Sequence, residues 1–160
     1  MGLADLSSVL WRERELLELL LFKLEEEQLV LAGSRTRWLA HATREVELVL
    51  EQIRKTEVLR AAEVDAVGRE FDLGPNASLA ELANAVHAPW NEMMRQHRTA
   101  FLSLTAEIQA LAAANRELLT AGQRAVRETV LAMAGSVETY GRRGETISSA
   151  ARTRLVDEAI

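Results

Sequence analysis

The chain has 160 residues, and Ala (25), Leu (25), Glu (20), Arg (17) and Lys (2) fill 89 of them, the composition of long helices or coiled coil. Ten Gly plus Pro and 4% aromatics leave too few turn formers for a β-sandwich or barrel, which turns every ~8–12 residues. A net charge of −5 gives no general pull toward phosphate backbones, and zero cysteines exclude disulfides, thiolate-held metals and a cysteine nucleophile.

Near the start, the longest unbroken apolar run is Leu19-Leu20-Leu21-Phe22. That is far short of the ~20 residues that span a bilayer. Asp5 and the lack of a basic stretch argue against a signal peptide, so a cytoplasmic protein with no membrane insertion is expected.

The first predicted helix covers about 3–32. Leu3, Leu6, Leu10, Leu17, Leu20, Leu24 and Leu31 follow steps of three and four along one stripe, skipping Glu13 and the Glu27-Gln28 position. Leu16, Leu19 and Val30 widen the stripe beyond a two-stranded seam, which suits a bundle of three or more helices. Arg12, Arg14, Glu18, Lys23 and Glu26 form the expected solvated face. Gly33 is placed in the left-handed position after this helix, with Ser34 as the next N-cap. The break is read as a hairpin turn, with a kinked continuous helix as the alternative.

The second helix is predicted over about 35–71. Its apolar row is Trp38, Ala42, Val46, Val49, Ile53, Leu59, Val64, Val67 and Phe71. Asp72 to Ala77 contains Gly74-Pro75-Asn76 and reads as a loop. Ser78-Leu79-Ala80-Glu81 reads as a capping box opening a short helix to about Val86. Pro89 fits the first turn of a last helix running to about Glu138.

In that last helix Phe101, Leu104, Ile108, Leu111, Asn115 and Leu118 keep heptad-like steps. Beyond Leu119 the face shrinks to Ala, Gly, Val, Thr and Met, so looser packing is expected there in the isolated protein. Asn115 is a polar residue on an apolar seam, where it costs stability but fixes register. The reading is an all-α, elongated antiparallel helical bundle or coiled coil of about three long helices plus one short helix. Residues 1–144 are expected to form a single domain, and 145–160 a flexible tail whose Ile147, Ala151 and Leu155 share one face.

No enzyme is expected. His41, His87 and His97 lack ligand spacing, and Glu25-Glu26-Glu27 point about 100° apart on a helix. Walker, dinucleotide-glycine, Gly-x-Ser-x-Gly and EF-hand patterns are absent, so no cofactor or metal is expected. Arg142, Arg143, Arg152 and Arg154 are too modest a basic tail for specific nucleic-acid binding.

The order of these features resembles the FlgN family of flagellar export chaperones. The residues that carry the resemblance are Leu31-Ala32-Gly33, Ser78-Leu79-Ala80-Glu81-Leu82, Asn115-Arg116-Glu117-Leu118-Leu119 and Tyr140-Gly141-Arg142-Arg143-Gly144. Ala112 stands where the family often shows a second asparagine. The resemblance implies a cytoplasmic chaperone for the helical C-terminal segments of the hook–filament junction proteins FlgK and FlgL. It also implies delivery to an export gate component, FlhA in that system. Client contacts are expected on Leu118, Leu119, Val126, Val130, Met133 and Val137, and the gate contact on Tyr140. The alternative is a structural coiled-coil adaptor or homodimeric scaffold with no export role.

Overall fold

A computed structural model describes residues 2–141, with side chains described through Gly135. The tail 145–160 therefore lies outside the described residues. The elements are α1 (Leu3–Ala32), α2 (Thr36–Glu70), α3 (Leu79–Ala85) and α4 (Trp90–Gly141). Among the described residues the chain is all-α, with three long helices and one short one. The described residues fall into two units, divided between 116 and 117.

In the first unit α1 and α2 are antiparallel. Glu13 meets Arg60, Lys23 meets Glu45 and Glu27 meets Thr43, so positions fall along α2 as they rise along α1. Gly33 thus belongs to a hairpin turn rather than to a kink. The turn is built differently from the sequence reading, however. Gly33 has an ordinary φ of −81°, and Ser34 takes the left-handed position at φ 53°. The Ser34 N–H donates to the Leu31 carbonyl and the Arg35 N–H to the Val30 carbonyl, a Schellman closure with serine where glycine is usual. Arg35, with no side-chain cap bond, precedes α2, so Ser34 is not its N-cap.

The end of α2 repeats the device. Asp72 stands at φ 56°, and the Leu73 N–H donates to the Gly68 carbonyl at 2.8 Å. Asn76 has φ 59°, and its N–H donates to the Asp65 carboxylate. At α3 the expected capping box is present: the Glu81 N–H donates to Ser78 Oγ, and the Ser78 N–H to the Glu81 carboxylate at 2.7 Å. These bonds to Ser78 hold the Glu81 carboxyl below its usual range. The start of α4 then runs parallel to α1, since Ser7 meets Met93, Trp11 meets His97 and Leu24 meets Asn115.

Two apolar clusters hold this unit together. The first gathers Leu6 and Leu10 of α1, Val64 and Val67 of α2, Leu82 and Ala83 of α3, Val86 and Met94. The second packs Leu16, Leu20 and Leu24 against Val46, Val49 and Ile53, with Ile108, Leu111 and Ala112 of α4 laid over them. Each fully buried leucine contributes roughly 1.5–3 kcal/mol relative to exposure. Three members of the rows drawn for α1 and α2 do not join the core: Leu59 is 59% exposed, Trp38 47% and Leu19 39%. The repeat of 3.6 residues carries the buried row of α2 through Thr56 rather than Leu59, and Thr56 satisfies its hydroxyl on the Gln52 carbonyl.

Polar groups enter the core at two levels. Glu13, skipped by the leucine stripe, is buried, and its Oε1 accepts from Arg60 Nη1 at 2.8 Å while Oε2 has no partner. Burial pushes the Glu13 carboxyl up; the adjacent Arg60 opposes this and Glu57 adds to it. His97 is buried with both ring nitrogens unpartnered, edge-on to Trp11 at 4.7 Å and near Phe101. Burial pushes its pKa down, and the nearby Arg14 adds to that. His97 is thus a neutral packing group, whereas His41 and His87 are exposed.

Candidate partner-binding surface

Asn115 closes the described contacts of α4 within the first unit. Its side-chain N–H groups donate to the Leu24 carbonyl at 2.9 Å and the Glu27 carboxylate at 3.0 Å. The amide spans α4 and α1 and is 4% exposed, and its own oxygen has no partner. These bonds are satisfied only at one sliding position of α4 along α1, which is the chemistry a register pin requires. Glu27 also accepts from Thr43. The Glu25-Glu26-Glu27 run is therefore not wholly a solvated one, because its last member links three helices.

In the second unit α4 presents a different surface. Every residue from Glu117 to Thr129 is exposed. Among the expected client residues, Leu118 is 36% exposed, Leu119 39%, Val126 56% and Met133 63%, while Val130 is half-buried. At about 100° per residue, Leu118, Leu119, Val126, Val130, Met133 and Val137 fall within one sector of about 120°. Val137 and Tyr140 lie on α4, but their side chains are outside the described residues. Leu118 to Val137 extends about 29 Å along a helix axis. Such a strip suits helix-in-groove pairing, in which anchors at i, i+3, i+4 and i+7 meet a partner helix.

Polar chemistry is sparse around this strip. Glu117, Arg124, Arg127 and Glu128 are exposed and of mixed sign. Among the described residues no group of three or more His, Cys, Asp or Glu is arranged to hold a metal ion. No helix among them is long and apolar enough to cross a membrane.

Sequence reading missed a second surface. The face of α1 opposite the leucine stripe carries more than charges: Trp11 is 48% exposed, Phe22 53% and Leu29 73%. The signal was present as a second heptad, hidden because glutamates interrupt it. Arg14 lies over the Trp11 ring at 5.2 Å and Lys23 over the Phe22 ring at 5.4 Å.

A family model described as FlgN protein matches residues 1–147. No curated protein and no solved structure matches the chain.

Proposed function

The chain belongs to the FlgN family, and on that premise we propose that it is a cytoplasmic chaperone of flagellar export that binds C-terminal helices of FlgK- and FlgL-like junction proteins. The family implies a flagellar export chaperone; the clients, the residues that hold them and delivery to an FlhA-like gate are our reading. One observation carries it: α4 displays Leu118, Leu119 and Val126 on exposed positions of a single helical sector. A client segment that pairs as coiled coil once assembled has an apolar seam with no partner before assembly. Covering that seam with a helix removes apolar area from water on both chains, at roughly 25 cal/mol per Å² before ordering costs.

Val130, Met133 and Val137 continue the client strip in this reading, and Tyr140 provides the gate contact. Asn115 holds register at the strip's beginning. Residues 1–144 act as the chaperone domain, with 145–160 as a tail. The test is to mix the full chain with a peptide from the C-terminus of a junction protein and follow the complex by size exclusion. A stable complex with the native chain, lost in the Val126→Asp/Val130→Asp double variant while helix content is unchanged, supports the assignment. Equal binding by both chains removes this strip as the client face. A tight homodimer by sedimentation that never yields to the peptide favours the scaffold reading instead.

A further inference from the structure

The outward face of α1 has a pattern of its own, separate from the α4 strip. Trp11, Glu15, Glu18, Phe22, Glu25 and Leu29 succeed one another at steps of four and three. On an ideal helix they lie within about 80° of each other and about 180° from the buried leucines. All six are exposed, although one edge of Trp11 also packs on His97 of α4 at 4.7 Å, so that Phe22 and Leu29 are the freer anchors. Apolar and acidic members are interleaved, so the row is neither a solvated charge face nor a plain hydrophobic seam. From Trp11 to Leu29 the sequence holds six glutamates, one of them the buried Glu13, against Arg12, Arg14 and Lys23, and the charged members of the row itself are all glutamates.

We infer that this face of α1 is a second docking surface, whose partner is a basic amphipathic α-helix of another protein. Trp11, Phe22 and Leu29 are spread over about 27 Å, the length of about five helical turns. They would meet the apolar seam of that helix, and Glu15, Glu18 and Glu25 would meet its Lys or Arg side chains. Aromatic anchors ringed by polar groups are the usual form of an interface hot spot. The two rings already attract cations, as the positions of Arg14 and Lys23 show, and a partner's basic groups can extend that arrangement. Arg12 and Arg14 pair with Glu15 and Glu18 along the helix, but those pairs are solvent-exposed and of low strength, so an incoming cation displaces them at little cost.

Charge decides against other occupants. A second copy of this chain would set glutamates against glutamates. An anionic membrane surface would be repelled by the same groups. Arg12, Arg14 and Lys23 flank the α1 row, but the charged positions within it are all glutamate, whereas the α4 strip has no charged member of its own and lies among exposed charges of both signs, so the two surfaces suit different partners.

The test uses the full chain and two synthetic helices of about three heptads, both with Leu at the seam, one flanked by Lys and the other by Glu. Calorimetric titration should show the Lys peptide binding at least about tenfold more tightly than the Glu peptide, a difference of about 1.4 kcal/mol. Phe22→Ser with Leu29→Ser should weaken the Lys peptide by a similar factor, since both side chains are exposed and their loss leaves the core intact. Glu18→Lys with Glu25→Lys should invert the preference toward the Glu peptide. Val126→Asp should leave Lys-peptide binding unchanged, which separates this surface from the client strip. Absence of binding, equal binding of the two peptides, or Lys-peptide binding indifferent to the Phe22 and Leu29 changes would overturn the inference.

Discussion

Arg60→Met removes the cation that hydrogen-bonds the buried Glu13 carboxylate. Glu13 is 4% exposed, and its second oxygen already lacks a partner. Breaking a buried pair by deleting one partner costs about 3–5 kcal/mol, because the remaining charge is desolvated without compensation. The Arg60 side chain is 35% exposed, so this pair lies at the edge of the core and the cost falls below the fully buried range, to about 2–3 kcal/mol at neutral pH. For a domain of this size that corresponds to a fall in Tm of roughly 4–12 °C. The pH dependence follows from the raised carboxyl. A folded pKa above the unfolded one means that the folded state holds the proton more tightly. The group's cost is therefore absent below the unfolded value near 4.5 and develops as pH rises through the folded one. Removing Arg60 pushes the carboxyl further up, so the deficit of the variant should be largest near neutrality and should shrink as pH falls toward 4.5. Urea unfolding followed by circular dichroism at several pH values measures this. Combining Arg60→Met with Glu13→Leu should restore stability to the native level or above, since a packed apolar pair replaces an expensive ionic one. A deficit that does not vary with pH, or a double variant no more stable than Arg60→Met, would refute the reasoning.

Ser34→Gly should raise stability by about 0.5–1 kcal/mol in the same urea assay, because glycine relieves the left-handed strain at φ 53°. Asn115→Ala should cost about 1–3 kcal/mol through the lost bonds to Leu24 and Glu27, and Asn115→Asp should cost more at neutral pH. The added carboxylate there faces a carbonyl and Glu27, and acid titration should recover part of the loss. His97 has a folded pKa depressed below 6.5, so its contribution is complete above that value and is lost as pH falls through the folded pKa. His97→Leu should flatten the decline in urea midpoint on the acid side, and an unchanged decline would assign it to other groups.

Much of the architecture was legible because helical periodicity is a local property. The leucine stripe of α1, the capping box at Ser78 and the loop over Asp72–Ala77 each follow from side chains a few residues apart. Turn geometry was less legible. Glycine is the ordinary left-handed residue, yet at the α1 end the closure to Val30 falls one position later and forces Ser34 to bear it. Leu59 illustrates a different limit, since the six-residue step from Ile53 to Leu59 departs from the 3.6-residue period and carries the side chain off the buried face. The interleaved row of α1 gives no hydrophobic stripe in the sequence, because Glu15, Glu18 and Glu25 separate its apolar members.

The sequence by itself determined that the chain is helical, where most of its helices begin and end, and which residues could form seams. It also marked Asn115 and Glu13 as polar intrusions on those seams, because a charged or amide side chain on an apolar repeat is visible without any neighbour. Only the tertiary structure decided what those intrusions touch. Arg60 lies 47 residues from Glu13, and Leu24 lies 91 residues from Asn115. Such distant pairings depend on how α1, α2 and the start of α4 settle against one another, and periodicity within one helix carries no record of its neighbour's register. The same holds for exposure: a leucine's hydrophobicity is its own, but whether water reaches it is fixed by what the rest of the chain brings alongside.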